Sequence, residues 1–174
     1  MYHFLLSVGI LICSYTPSVL SYNLIFGKAK LLYFGPVAVS LVGTYATFIT
    51  LEVTGSFIWA FGAGALGALT ISIIFAVLSL RLEGDALGII SIAMHLAILT
   101  VVLNWTSVTG GTLGITNIPR MPFLESQEGL LIAAACLAFF WVTCFCLLDR
   151  SAFGRKVAAI AQFPSSATAL GVSR

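Results

Sequence analysis

The sequence predicts an all-α protein, a polytopic bundle of about five transmembrane helices, and its composition gives the first reason. Of its 174 residues, 60% are hydrophobic and only 8% are charged, and the mean hydropathy is +1.10. Soluble domains have about 25% charged residues, because water has to solvate their surfaces. The second reason is that the apolar residues form long stretches, and a helix needs about 20 such residues to cross a bilayer.

Five apolar stretches are long enough to span a membrane, and we expect them to form a single membrane domain over residues 1–174. The first stretch is expected to stay in the membrane, because no short apolar segment with a small-residue cleavage site precedes it. Gly35 and Pro36 lie near the start of the second stretch and could interrupt a helix there. The five predicted spans cover about residues 4–26, 31–51, 56–80, 86–103 and 129–148.

The basic residues fall almost entirely on one side of these spans. Only Arg120 falls on the other side. Because loops rich in Lys and Arg stay in the cytoplasm, we expect the N-terminus outside and the tail, residues 149–174, inside. The net charge of +2 gives no indication of a nucleic-acid partner, and none is expected. The residues on the basic side are Lys28, Lys30, Arg81, Arg150, Arg155, Lys156 and Arg174.

Two patterns inside the spans are typical of sites in soluble proteins but are better explained by packing. Gly62, Gly64 and Gly67 match the G-x-G-x-x-G pattern, which binds dinucleotides only between a strand and a helix that opens onto solvent. Inside a span, small residues instead let two helices approach closely. The cysteines lie in apolar runs without a nearby His or carboxylate, so we expect small buried hydrophobes and neither a metal nor a cofactor. They are Cys13, Cys136, Cys144 and Cys146.

His95 lies near the middle of the fourth span and has two interpretations. An ionisable residue at that depth is costly, so it could line a translocation path or relay a proton. It could also be a neutral imidazole that is hydrogen-bonded to a neighbouring helix. The lack of an acidic residue in any span centre favours the neutral structural role. For the same reason we expect no catalytic residue and no enzyme.

The tail shows the pattern of a helix that lies on a membrane surface. Phe153, Val157 and Ile160 fall on one helical face, while Arg155 and Lys156 fall elsewhere.

A second short helix is expected to follow in the tail. Pro164 should end the first helix, and Ser165 or Ser166 can cap the second. Gly171 supplies its C-terminal stop.

The predicted external loop, residues 104–128, is rich in Gly, Thr and Asn. Such residues form turns and offer backbone donors. Loops of this length are uncommon as plain connectors, so we expect a folded external cap.

Four separate stretches resemble a known family. They are GPVAVSLVGTY (35–45), LRLEGDALGII (80–90), NW…TGGTLGI…IP (104–119) and RSAFGRKVAAIAQFPSSATALGV (150–172). In this order and spacing they resemble the permease subunits of branched-chain amino acid ABC importers, the LivM-like branch.

The resemblance implies a multi-pass subunit of a bacterial or archaeal cytoplasmic (inner) membrane, surrounded by the lipid bilayer. Its partners would be a second permease subunit, ABC ATPase subunits and a periplasmic or extracellular binding protein. The substrates would be leucine, isoleucine and valine, although related permeases move urea or other amides. The residues that would couple the subunit to the ATPases are Ser151, Phe153, Gly154, Arg155, Ala167, Leu170 and Gly171. The matching external-loop residues are Thr109, Gly110, Gly111 and Gly114.

The sequence also departs from the family pattern. Leu96 and Leu99 stand where the family often has Glu and Arg, and Gln162, Pro164 and Thr168 replace acidic positions of the coupling stretch. The chain stops just after that stretch, so we expect a fragment or one half of a split gene. The alternative function is a non-transporting membrane scaffold or assembly protein, which would not need the Pro-Ser-Ser and Leu-Gly pattern of the tail.

Overall fold

The structure is a computed structural model that describes residues 1–82, 85–116, 118–119 and 124–162. These residues form helices and connecting loops, and the described ranges contain no β-strand, which confirms the predicted all-α class. The helices are α1 Tyr2–Tyr22, α2 Gly35–Thr54, α3 Phe57–Ser79, α4 Asp85–Asn104, α5 Thr106–Thr109, α6 Gln127–Arg150 and α7 Ala152–Gln162. A π-helical turn, Asn23–Lys28, extends α1, and a 3-10 turn, Gly111–Leu113, follows α5.

Five of the helices are long and apolar enough to cross a membrane, as the composition predicts. They are α1 with its π-helical extension, α2, α3, α4 and α6. Helix α2 starts at Gly35, with Pro36 in its first turn. Proline is favoured in the first turn of a helix, because the backbone N–H groups there have no acceptor within the helix. Gly35 and Pro36 therefore begin the helix instead of interrupting it.

The chain divides into two compact units. Unit 1 comprises Met1–Leu31 and Arg120–Arg174, and its described elements are α1, the π-helical turn, α6 and α7. Unit 2 comprises Leu32–Pro119 and contains α2, α3, α4, α5 and the 3-10 turn.

In unit 1, polar contacts join α1 and α6 at both ends of a parallel pair, start to start and end to end. At one end Tyr2 Oη donates a hydrogen bond of 2.7 Å to Glu128 Oε1. At the other end Lys28 and Asp149 form an ion pair. Lipid chains are as apolar as the helices, so apolar burial contributes little to helix pairing in a membrane. These end contacts therefore help to fix the register of α1 on α6.

In unit 2, α2 and α3 pack through small residues. A Cβ atom on Gly67 would lie 3.2 Å from Ala46 Cβ, and one on Gly64 would overlap Thr47 Oγ1 and lie 2.9 Å from Gly43 O. The helix backbones thus come close at Gly43 and Gly64, as the small-residue pattern predicts. Gly62 has open space around its missing Cβ, so it does not take part.

The segment before α2 is held on α4. Ser91, which is fully buried, accepts a 3.0 Å hydrogen bond from the backbone N–H of Phe34 and donates to Gly88 O at 2.8 Å. Leu32 lies directly over Gly88, where a Cβ would be 2.6 Å from its Cδ2. The apolar core of unit 2 includes Phe75, which is 2% exposed.

The close approach of α2 and α3 predicts different effects for two neighbouring glycines. Replacing Gly64 by Ala should overpack the interface at a cost of roughly 1–3 kcal/mol, because the new methyl group meets Thr47 and the backbone of Gly43. The melting temperature of the purified protein in detergent should fall by about 2–10 °C. It can be followed by heating samples and measuring the remaining monodisperse peak in size-exclusion chromatography.

Gly62→Ala is the matched control for this substitution. Its methyl group enters open space, and alanine favours a helix over glycine by roughly 0.5–1 kcal/mol. The melting temperature should stay unchanged or rise. Equal destabilisation by Gly62→Ala and Gly64→Ala would contradict the described packing.

Candidate functional site

The predicted coupling residues that the structure describes lie at the corner where α6 ends and α7 begins. Ser151 is the single residue between the two helices and has an extended backbone conformation. Its Oγ donates a 2.6 Å hydrogen bond to Leu148 O of α6 and accepts a 3.3 Å hydrogen bond from the Gly154 N–H of α7. Ser151 therefore satisfies backbone groups of both helix ends.

Gly154 allows the two helices to meet at this corner. It is buried, and a Cβ at this position would lie 2.5 Å from Leu148 O and 2.6 Å from Asp149 O. Both neighbours are backbone atoms that cannot rotate away. Only a residue without a side chain fits, so the corner geometry depends on glycine here.

Arg155 closes the corner from α7. Its Nη1 donates a 2.7 Å hydrogen bond to Arg150 O, and its backbone N–H donates to Ser151 O at 3.3 Å. The cation thus lies at the C-terminus of α6, where the helix dipole is negative. The structure brings Ser151, Gly154 and Arg155 together in one capping arrangement, which we name the α6–α7 corner.

Helix α7 is amphipathic, and Val157 and Ile160 of the predicted apolar face are half-buried. The more buried positions of α7 lie on one side of the helix and are Gly154, Val157, Ala158, Ile160 and Ala161. Phe153, which was predicted to share the face of Val157, is 59% exposed at its edge. Gly154 lies on the packed side of α7, because the backbone of α7 approaches the end of α6 at this residue.

Several predicted tail positions lie outside the described residues. They are Pro164, Ser165, Ser166, Ala167, Leu170 and Gly171.

The predicted external-loop residues form a compact turn on the end of α4. Thr109 is 4% exposed, and its hydroxyl proton lies between two acceptors, Val102 O at 2.5 Å and Trp105 O at 2.8 Å. Its Oγ1 also accepts a 3.2 Å hydrogen bond from the Gly111 N–H. Val102 O belongs to the last turn of α4, where backbone carbonyls lack helical partners. Thr109 thus caps α4 through its side chain.

Three glycines shape this turn through positive φ angles. Gly110 has φ +74°, and a Cβ there would overlap the carbonyl of Gly114. Gly111 has φ +60°, and its Cβ would lie 2.8 Å from Thr106 Cγ2. Gly114 combines φ +68° with ψ −177°, a region that is essentially confined to glycine. The T-G-G-x-x-G residues thus build the folded turn with their own backbones.

His95 lies on the more buried stripe of α4. It is half-buried, between the fully buried Ser91 and the buried Val102 along the same face. Its Nδ1 is buried and has no hydrogen-bond partner within the described ranges. A neighbouring-helix acceptor or donor for Nδ1, as the neutral structural role would require, is thus not among the described contacts. A buried polar atom without a partner raises the free energy of that state by roughly 1–3 kcal/mol.

Two residues of the corner region could not be predicted from the sequence. Lys28 was predicted only as a charge on one side of the membrane and Asp149 had no predicted role, but together they join the π-helical turn to the end of α6. Helix α7 also packs against that turn. No sequence signal pairs two residues so far apart, apart from their opposite charges at predicted span ends.

The described residues contain no group of three or more His, Cys, Asp or Glu side chains that could hold a metal ion. All four cysteines are free, and Cys136 and Cys146 are exposed on α6.

Five apolar spanning helices, followed by a short amphipathic helix capped onto the last of them, define a multi-pass α-helical membrane protein. The pattern of one family, the permease component of the branched-chain amino acid transport system, matches residues 4–174. The chain therefore belongs to this family of transport permeases. Neither the curated proteins nor the solved structures gave a significant match.

Proposed function

We propose that this chain is the transmembrane permease subunit of an ABC importer for branched-chain amino acids. In this role it couples ATP hydrolysis by partner subunits to movement of the substrate across a bacterial or archaeal cytoplasmic membrane. The family match supports the transport role. The observation that carries the coupling role is the α6–α7 corner, which fixes a short amphipathic helix to the end of a span.

The corner is suited to transmit movement. Ser151 and Arg155 each bond to a backbone carbonyl in the last turn of α6, and Gly154 brings the backbones into contact. A helix fixed in this way moves with its neighbour as a rigid body and does not swing on a flexible linker. A push on the tail would thus displace α6, and with it α1, which is joined to α6 at both ends.

The contacts at the corner suggest different roles for the proposed coupling residues. Ser151, Gly154 and Arg155 are occupied in the corner contacts, so they act as positioning residues. Ala167, Leu170 and Gly171 are proposed as the residues that contact the ATPase. Phe153 is exposed and remains available for a surrounding partner or lipid.

The proposed orientation places the N-terminus outside and α7 in the cytoplasm. It rests on the basic residues, since Lys28, Arg150, Arg155 and Lys156 all belong to the corner end of unit 1. In this orientation the Thr109 turn faces outward, toward the binding protein that delivers substrate. A second permease subunit would pack against this one to complete the translocation path.

His95 is proposed as a residue of that path. Its buried Nδ1 has no partner in the described part of the chain and lies at mid-depth in α4. A polar group that gains its hydrogen bond only in another state of the transporter, or from a passing substrate, fits this arrangement.

The coupling role predicts a loss of ATPase binding when the proposed contact residues become charged. With Leu170→Asp and Gly171→Asp together, the amount of co-purified ATPase should fall at least tenfold, because the contact would have to bury two unpaired carboxylates. Co-expression, affinity capture of this chain and quantification of the ATPase band measure the effect.

A matched control introduces the same charge elsewhere. Leu113 is 87% exposed in the predicted external turn, so Leu113→Asp should leave the co-purified amount unchanged. ATPase capture that survives the change of Leu170 and Gly171 would show that the contact residues are wrongly assigned.

A further inference from the structure

The corner end of unit 1 concentrates positive charge around a single carboxylate. Arg150 ends α6, Arg155 and Lys156 lie in the first turns of α7, and Lys28 reaches Asp149 from the π-helical turn. The hydrogen bond from Arg155 to Arg150 O brings both arginines to the same corner. We name the four cations Lys28, Arg150, Arg155 and Lys156 the basic corner.

Most of this charge is not neutralised within the described part of the chain. Asp149 is paired with Lys28, which leaves Arg150, Arg155 and Lys156 without a carboxylate partner among the described residues. All three are exposed. Three uncompensated cations at one helix corner attract an anion from the surroundings.

Exposed apolar side chains lie directly beside these cations. Leu147 is 67% exposed and Leu148 is 46% exposed in the last turn of α6, and Phe153 is 59% exposed on α7. Phe153 and Lys156 are three residues apart on a helix, so their side chains are neighbours. The surface therefore combines a basic and an apolar part at the point where a membrane-spanning helix ends.

We propose that the basic corner binds an anionic phospholipid of the adjacent leaflet. The phosphate of the headgroup contacts Arg150, Lys156 and the guanidinium nitrogens of Arg155 other than Nη1, which bonds to Arg150 O. The acyl chains lie along Leu147, Leu148 and Phe153. Arginine binds phosphate oxygens in a bidentate manner, and basic residues next to a span attract anionic lipids. A soluble acidic protein would match the charge but would leave the apolar side chains of α6 without a partner.

This proposal does not depend on the transport role. It requires only that α6 spans the bilayer and that its C-terminal end lies at the surface of the membrane. A failure of the ATPase-binding experiment would leave it intact, and its own failure would leave the transport role intact.

The test uses the full chain in nanodiscs that contain equal amounts of phosphatidylglycerol and phosphatidylcholine. After extraction, native mass spectrometry counts the lipids that stay bound. We expect the wild-type protein to retain phosphatidylglycerol preferentially. Arg150→Gln with Lys156→Gln should reduce this preference about tenfold or more, because each removed cation weakens the attraction of the anionic headgroup.

Two control variants separate lipid binding from folding and from total charge. Exchange of the two cations, Arg150→Lys with Lys156→Arg, keeps the charge and should keep the preference. Arg81→Gln removes a positive charge from unit 2 and should also leave the preference unchanged. High salt should weaken retention of phosphatidylglycerol, because it screens exposed charges.

Several results would overturn the proposal. They are equal retention of both lipids by the wild-type protein, an unchanged preference in the Arg150→Gln, Lys156→Gln variant, and an equally large loss in Arg81→Gln. A variant that keeps its lipid preference but loses its co-purified ATPase would assign the basic corner to an acidic protein surface instead.

Discussion

Gly110→Ala is expected to destabilise unit 2 strongly. The backbone at Gly110 has φ +74° and ψ 0°, and an L-residue in this left-handed region costs roughly 1–2 kcal/mol. The new Cβ would also overlap the carbonyl of Gly114, and relief of such overpacking costs roughly 1–3 kcal/mol more. Together these terms should lower the melting temperature in detergent by about 4–20 °C.

Gly55→Ala provides the matched control for this change. Gly55, which ends α2, has φ +64° and ψ 3°, so it has the same left-handed conformation, but nothing lies within 4 Å of its missing Cβ. It should show the conformational cost alone, roughly 1–2 kcal/mol. If the two variants melt at the same temperature, the turn around Thr109 is not as tightly closed as described.

The fold was predictable because the transmembrane helices of a protein are visible in its sequence as long apolar stretches. Apolar stretches of about 20 residues can satisfy their backbone groups in a bilayer only as helices or closed barrels. The five stretches were long and lacked the alternation of barrel strands, so their number and type followed directly. The effect of Pro36 on the second helix was less predictable, because a proline starts a helix at one position and breaks it at another.

The packing partners within the fold were less predictable than the helices. Gly62, Gly64 and Gly67 look alike in sequence, but only Gly64 and Gly67 face α2. Which side of a nearly uniform apolar helix meets its neighbour depends on tertiary contacts that hydropathy does not encode. Ser91 is the clearest example: a single serine among apolar residues holds the segment before α2 through its buried hydroxyl.

Three residues of the candidate site could be singled out from the sequence, but the contacts that they make could not. The family resemblance pointed to Ser151, Gly154 and Arg155 as coupling residues. The structure shows a cap, a close backbone contact and a second cap at one helix corner. Contacts of this kind depend on the angle at which two helices meet, which follows from three-dimensional geometry and not from spacing along the chain.

The proposed coupling role predicts that Gly154→Ala uncouples the transporter while leaving the spanning helices folded. The added methyl group would lie 2.5 Å from Leu148 O and 2.6 Å from Asp149 O, so α7 must move away from α6. This movement would break the hydrogen bonds that Ser151 and Arg155 make across the corner. Substrate uptake driven by ATP in proteoliposomes with the partner subunits should fall at least tenfold, which corresponds to about 1.4 kcal/mol of lost coupling.

Two comparisons make this outcome specific to the corner. Gly62→Ala adds the same methyl group in open space and should transport normally. Ser151→Ala removes one capping hydroxyl but adds no atoms that would push the helices apart. Its uptake should therefore fall less than that of Gly154→Ala, in line with the roughly 0.5–2 kcal/mol that a capping side chain contributes. Normal uptake by the Gly154→Ala protein would show that movement reaches α6 by another route. A fall in uptake with unchanged ATPase co-purification would instead locate the defect in the corner. In that case the ATPase still binds, but its movement no longer reaches α6.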